Sequence, residues 1–431
     1  MLDHRTRSAT AFLLAGGLLA CHPAGETSAT NPPARPPFEA LFAADHLPVF
    51  ELTVPESSLR NLAVDPFAYQ PAHFRYRLQG DPRSAFALPY VGLRLKGRGS
   101  FHPIDRKPAF KIRFDTYIGS QRFLGLRRLT LNNLEQDPSM LRERLAFHVF
   151  RRAGIPAPLC NSARVFVNGD YHGLYTNVQT LDQAFLETHF APARGNLYDT
   201  SDYLVDLEPR FKAMFQLKTN RAENRTGDLD ALLAAVGGPT AGLSDEAASI
   251  VDLDQWLAVG AVQAVIADWD GYFGGTNNYE LYHDLRRGRF VLLPWGCDQT
   301  FGFAEGHFKF LTHRIDGRRT QRTNGLLFRR CKESRDCYER YLQHVERALG
   351  LWEGLGLSAE MDRILAQIRP SVYEDKRRPY SIADFEQSVQ DVRVFLSERG
   401  PIVRRQLERL RVRLEEGETQ TDAGPARPEA R

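Results

Sequence analysis

Leu93-Arg-Leu-Lys-Gly-Arg-Gly-Ser-Phe101, followed closely by Lys107-Pro-Ala-Phe-Lys-Ile-Arg-Phe-Asp115, is the stretch on which the reading of this chain turns. Val91, Leu93 and Leu95 alternate with Gly92, Arg94 and Lys96, and Phe110, Ile112 and Phe114 alternate with Lys111 and Arg113. A period of two marks a half-buried β-strand, so each segment buries one face and presents its cations on the other. The turn between them carries Gly97 and Gly99. Such a basic turn offers backbone N–H groups to phosphate oxygens, and it is equally a plain hairpin loop.

Working outward, residues 47 to 114 read as strands and turns. Next comes a helix with Asp137 as its cap, Pro138 in the first helical position and Gly154 after the last turn. Leu141, Leu145, Val149 and Phe150 form its apolar stripe, and Glu143 lies off it. A hairpin follows, with Arg164–Val167 and Gly173–Val178 flanking a turn at Asn168-Gly169-Asp170. Residues 181 to 190 read as a short helix, and 221 to 247 as a weakly amphipathic connection. Trp256 to Ala267 is apolar nearly all round, which predicts a buried central helix. It runs straight into Asp268-Trp269-Asp270. Phe290 to Pro294 is a short apolar strand that ends in Trp295-Gly296-Cys297-Asp298. The last third is helical, near 338 to 352, 357 to 369 and 384 to 415, the last interrupted at Gly400-Pro401. The expected class is α+β with a helical C-terminal region.

The first twenty residues place Arg5 and Arg7 before an apolar run from Ala11 to Ala20. That run is too short to span a bilayer and reads as a signal segment. Leu18-Leu19-Ala20-Cys21 looks like a bacterial lipobox, which makes Cys21 the expected lipidation site. The expected layout is a signal peptide over 1–20, a disordered Pro/Ala/Ser/Thr tether over 21–40, a body over 41–415 and a polar tail over 416–431. This places the body outside the cytoplasm, lipid-anchored in the cell envelope on the periplasmic side or at the outer membrane. With 56 basic and 53 acidic residues the charge is nearly balanced, so no nucleic-acid footprint follows. Cys160, Cys297, Cys331 and Cys337 remain after Cys21; an even count permits bridges, and Cys331 with Cys337 is the nearest pair.

Carboxylates placed just after a buried helix and a buried strand must be paired, solvated or bound to a cation. Asp268, Asp270 and Asp298 are placed that way, with Asn277 and Asn278 between them. Such oxygen donors suit Mg²⁺ or Mn²⁺ completed by water and substrate phosphates. The same acids also read as helix caps paired to arginines. No His-x-His, H-E-x-x-H, C-x-x-C or G-x-S-x-G is present.

Together with Asp137-Pro-Ser-Met-Leu-Arg-Glu-Arg-Leu-Ala146, Val165-Phe-Val-Asn-Gly-Asp-Tyr-His-Gly-Leu-Tyr175, Asn277-Asn-Tyr-Glu-Leu-Tyr282 and Leu293-Pro-Trp-Gly-Cys-Asp-Gln-Thr-Phe-Gly302, the opening segments resemble the CotH kinase family over roughly residues 45 to 350. The resemblance implies an atypical, two-lobed protein-kinase-like fold that binds ATP with Mg²⁺ or Mn²⁺ and phosphorylates Ser or Thr of secreted or envelope proteins. Phosphoryl transfer needs a cation over the phosphates, a carboxylate on the metal, an amide ligand and an acid that orients the hydroxyl. Lys111 is the first choice for the phosphate cation, with Lys107 and Lys96 as rivals, and Glu143 as its pairing acid. Asp268 or Asp270 takes the catalytic role, Asn277 or Asn278 the second metal, and Asp298 the first.

Two positions depart from the family pattern. Gly296 stands where an acid is common, and Gln179 stands where the strand after the hairpin often ends in glutamate. A catalytically weak member acting as a surface adhesin or assembly protein is therefore the alternative. Metal-assisted hydrolysis of a phosphate ester is a third reading.

Overall fold

The computed structural model describes residues 36–200, 203–238, 242–302, 314–316 and 324–416. The expected signal segment, Cys21, residues 22–35 of the expected tether and the tail beyond residue 416 lie outside the described residues; the end of that tether, residues 36–40, is instead ordered, entering a 3-10 turn over Pro37–Phe42 whose Phe38 is buried. From Pro36 on the chain forms a single contact unit, of mixed α+β class with an N-terminal barrel and a helical C-terminal region.

Seven strands close the barrel in the order β1-β2-β3-β4-β5-β7-β6. They are β1 (Pro48–Thr53), β2 (Gln70–Leu78), β3 (Asp81–Lys96), β4 (Ala109–Arg113), β5 (Arg128–Asn132), β6 (Cys160–Val167) and β7 (Asp170–Val178). All neighbours are antiparallel except β1 and β6, whose parallel pairing seals the barrel. Phe50, Phe74, Leu93, Leu95, Phe110, Ile112 and Phe114 fill its interior, nearly all without solvent contact. The period-two pattern thus sends the cations of β3 and β4 outward. Asn168 and Gly169 both have positive φ, the conformation a two-residue hairpin requires between β6 and β7.

Helix α1 (Glu56–Val64) lies between β1 and β2, and α2 (Arg142–Arg152) follows β5. The second helix starts four residues later than its sequence suggests, after Leu141 as N-cap. Asp137 does not begin the helix, because its carboxylate accepts the Ser139 N–H and hydroxyl, and Met140 turns left-handed with φ +57°. The carboxylate still serves the helix from outside by accepting the Arg142 N–H at 2.8 Å. Glu143, expected on a polar face, is buried at 2% exposure.

The lower half is built on a four-stranded sheet, β11-β10-β8-β9, made of β8 (Leu197–Thr200), β9 (Phe215–Leu217), β10 (Tyr279–Asp284) and β11 (Arg289–Pro294). Helix α3 (Gln183–His189) precedes it. The stretch read as a connection holds α4 (Gly227–Gly237) and α5 (Asp245–Ile250). Helix α6 (Leu253–Val265) is buried on nearly every side, as its uniform apolarity predicts, and the short α7 (Tyr272–Gly275) follows. Among the described residues, four helices follow: α8 (Leu326–Glu333), α9 (Arg335–Gly354), α10 (Leu357–Glu374) and α11 (Ile382–Glu415).

The predicted break at Gly400-Pro401 does not occur, for α11 continues through Pro401 over 34 residues. Arg399 sits beside that point, fully buried, and donates to Val265 O at 3.0 Å and Ala264 O at 2.6 Å. Packing against α6 outweighs the local cost of proline. A disulfide joins Cys331 to Cys337 across the α8–α9 junction, while Cys160 and Cys297 are buried free thiols. Among the described residues no helix is long and apolar enough to cross a membrane.

Candidate active site

A cleft of about 810 Å³ collects residues from both halves of the molecule. Its barrel side is cationic. The β3–β4 register sets Arg94 opposite Lys111, with Lys96 further along β3 opposite Ala109, and all three cations line the cleft. The glycine-bearing turn, Gly97 to Ser100, forms its rim.

Lys96 is held from behind. Its Nζ donates to Asn132 Oδ1 at the end of β5, and Asn132 Nδ2 donates to both carboxylate oxygens of Glu143 at 2.9 and 2.8 Å. Burial pushes the Glu143 carboxyl up to about 7, against the opposing pull of the Asn132 hydrogen bond and the Lys96 charge. Burial lowers Lys96 from the usual lysine range, and the Glu143 and Asp298 charges oppose that shift. Lys111 is pushed down to about 7 by burial, then by the neighbouring Lys218 charge. Lys218 itself pairs with Glu280 at 2.5 Å, and the second Glu280 oxygen is buried with no hydrogen-bond partner.

The opposite side is built of acids and amides. At the end of α6, Ala267 adopts φ +55° and reverses the chain, delivering Asp268, Trp269 and Asp270. Asp270 lines the cleft, and its Oδ2 accepts from Asn277 at 3.1 Å and from Asn278 at 2.8 Å. Asp268 stands behind that surface, buried, and accepts from Gln263 at 3.0 Å. Burial and the Asp270 charge push Asp268 up to about 8, so it serves the loop as a buried acid.

Asp298 reaches the cleft from the turn after β11. Burial and then the charges of Glu143, Asp137 and Asp270 hold its carboxyl well above the usual range, with Lys96 opposing. Gly296, two residues earlier, has φ +54°, and a Cβ there would lie 2.6 Å from Asn278 Oδ1. The Asn278 side chain therefore occupies the space into which an acid at this position would project.

A divalent cation fits this donor set. Gln299, next in sequence to Asp298, lines the cleft with a buried Oε1 that has no hydrogen-bond partner. Among the described residues no three His, Cys, Asp or Glu converge into a preformed cage. Mg²⁺ needs none, since it binds through one or two carboxylates and fills its shell with water and phosphate oxygens.

Of the sequence candidates, Lys96, Lys111, Asp270, Asn277, Asn278 and Asp298 line one cleft. Glu143 stands behind Asn132, which links it to Lys96, so the expected partnership with Lys111 is corrected. Lys107 lies elsewhere, buried at 3% exposure against Asp375 at 2.7 Å, and is a structural cation. Gln179 is also structural: it is buried outside the cleft lining and accepts the Leu159 N–H at 3.1 Å. Asn132, Asp199, Tyr203 and Gln299 line the cleft without having been singled out in sequence. Asn132 could have been found as the polar end of an apolar strand, directly before the Asp137 turn.

The family model described as CotH kinase protein matches residues 93–403. Inner spore coat protein H of Bacillus subtilis is 27% identical over 352 residues, covering 79% of this chain and 91% of that protein. Invasin CotH3 of Rhizopus delemar is 25% identical over 295 residues, covering 59% of this chain and 47% of the invasin, so the chain spans about half of that relative. Among solved structures, the Helicobacter pylori proinflammatory kinase CtkA aligns over 73% of this chain and 96% of its own, at 9% identity and a TM-score of 0.34.

Proposed function

This chain belongs to the CotH kinase family, and we propose that it transfers phosphate from ATP to serine or threonine hydroxyls of proteins outside the cytoplasm. The observation that carries this reading is the polarity of the cleft. A cation ladder headed by Lys96, with Glu143 behind it, faces a carboxylate, Asp298, that sits among like charges. Lys96 and Lys111 would bind and orient the nucleotide phosphates. Asp298, with the Asn278 and Gln299 amides, would hold Mg²⁺ or Mn²⁺, which when bound neutralises phosphate charge. Asp270, fixed by two asparagine amides, is oriented to accept the proton of an incoming hydroxyl, and Asp268 braces the loop behind it.

The Cys331–Cys337 bridge supports a location in an oxidising compartment, since such bonds are rare in reducing cytoplasm. It agrees with export directed by residues 1–20 and lipid attachment at Cys21, and with envelope proteins as substrates. The test is incubation of the purified chain with labelled ATP, Mn²⁺ and a panel of secreted proteins. Transfer lost in Asp298→Ala supports the kinase reading; no transfer by the intact chain, or equal transfer by the variant, ends it.

Gly296 favours a second reading. With the space beside Asn278 closed to an acid, the metal side carries one carboxylate fewer than the family pattern, which suits a surface binding protein with little turnover. That reading gains if the biological phenotype survives Asp298→Ala and no metal-dependent nucleotide binding is detected.

A further inference from the structure

Lys96 and Glu143 do not touch. Asn132 stands between them, its Oδ1 accepting from the lysine ammonium and its Nδ2 donating to both oxygens of the carboxylate. A side-chain amide carries an acceptor and a donor on one rigid plane, so it satisfies both charges at once. A carboxylate lacks the donor and an ammonium the acceptor, while a hydroxyl offers a single hydrogen where the amide gives one to each carboxylate oxygen. The position is fixed by the barrel, for Asn132 closes β5 and pairs in register with Thr176 of β7. Its neighbour Asn133 is buried and donates to Ser100 O and Lys107 O, both at 2.9 Å, fixing the two ends of the loop that follows the glycine turn.

Resting on the kinase reading, we propose that Asn132 is a positioning residue that aims the Lys96 ammonium at the phosphates of the nucleotide, and that the hydrogen-bonded link from Glu143 to Lys96 runs through it. Glu143 is shut off from solvent behind Asn132, at 2% exposure, and does not line the cleft. A carboxylate so placed has no hydrogen-bond contact with a ligand in the cleft and orients Lys96 through the amide it holds. Losing the bridge should weaken nucleotide binding about tenfold, which corresponds to about 1.4 kcal/mol.

The test is a double-mutant cycle on the full chain with Asn132→Ala, Glu143→Ala and the double variant, read in two ways. In the free protein, competitive acetylation of the Lys96 amine followed by mass spectrometry should change about fivefold in each single variant and no further in the double. In the second reading, the dissociation constant of Mg²⁺·ATP should rise about tenfold in all three variants, with KM for ATP rising and kcat changing less than threefold. Asn132→Leu, which keeps the volume and removes both donor and acceptor, replaces the alanine variant if that does not fold. Additive effects, or unchanged labelling in Asn132→Ala, overturn the proposal. Coupled labelling in a wild-type chain that binds no nucleotide separates the two claims: the bridge stands as geometry, while its role toward a nucleotide falls with the kinase reading.

Discussion

Lys107 and Asp375, 268 positions apart in sequence, meet inside the molecule with Nζ and Oδ2 at 2.7 Å. Neither side chain has more than 3% exposure, and Asp375 also accepts the backbone N–H groups of Leu174 and Arg377. The pair ties the loop before β4, strand β7 and the end of α10 to one point. Removing one member of a buried pair strands the other charge, at a cost of about 3–5 kcal/mol. Asp375→Ala should therefore lower stability to chemical denaturant by that amount and leave nucleotide affinity of the folded fraction unchanged. Loss of affinity in folded Lys107→Met would return Lys107 to the ligand set.

Asp298 sets a pH dependence whose sign is fixed. Its carboxyl is raised in the fold, so the protonated form is favoured there. That contribution is full below the ordinary carboxyl range and is lost as pH rises through the folded-state value. Asp298→Asn does not ionise. Its stability should match wild type near pH 4 and exceed it increasingly as pH rises from there, by at most about 1.4 kcal/mol per pH unit, levelling off once pH passes the folded-state value of Asp298. Millimolar Mn²⁺ should raise the melting temperature of wild type at pH 8 and leave Asp298→Asn unmoved. A flat difference between the two proteins across the pH range would contradict this.

Much of this arrangement was legible in the sequence, and the reasons for the exceptions are physical. The cations of β3 and β4, the uniformly apolar α6 and the acids at the ends of α6 and β11 carry short-range patterns, and those patterns placed six candidates in one cleft. Lys107 misled because a lysine beside a cationic strand looks the same whether its partner is a ligand or a residue 268 positions away. Asn132 was missed because an amide that mediates between two charges leaves no periodic trace. The parallel β1–β6 seam was illegible for the same reason, since its two strands are more than 100 residues apart. The continuity of α11 through Pro401 depends on Arg399 and the end of α6, a tertiary contact that overrides a local signal.

Tyr203 occupies a donor of the glycine turn. Its hydroxyl accepts the Gly99 N–H at 3.0 Å, and the Arg98 guanidinium stands 5.6 Å from its ring centre. A phosphate seeking that N–H competes with the hydroxyl. Tyr203→Phe keeps the ring and removes the competitor, so Mg²⁺·ATP should bind about two- to fivefold more tightly, within the roughly 0.5–1.5 kcal/mol net worth of a hydrogen bond. Weaker binding by calorimetry would show that the hydroxyl is a ligand contact.

Arg399 closes the C-terminal end of α6 by taking up the Ala264 and Val265 carbonyls, immediately before the turn that delivers Asp268 and Asp270. Arg399→Met retains the bulk and frees both carbonyls. Stability should fall by about 2–4 kcal/mol, and phosphate transfer should fall more than nucleotide affinity, because the acid loop loses its support while the cation ladder does not. Equal loss of the two would place the effect on the fold as a whole.

The sealing strand of the barrel has a mechanical consequence. Strand β1 carries a hydrogen-bonded ladder on each side, so a pull arriving at its upstream end finds no free edge to peel and must load both ladders together. Ahead of it, Phe38, Leu41 and Phe42 are buried in the barrel core, and the Ala44 carbonyl is gripped by Arg144, Arg363 and Gln367. Force transmitted from any attachment before Pro36 would thus be spread across the barrel, α2 and α10. A protein held on a surface by its leading end could be dragged or sheared there while the geometry of its cleft stayed intact.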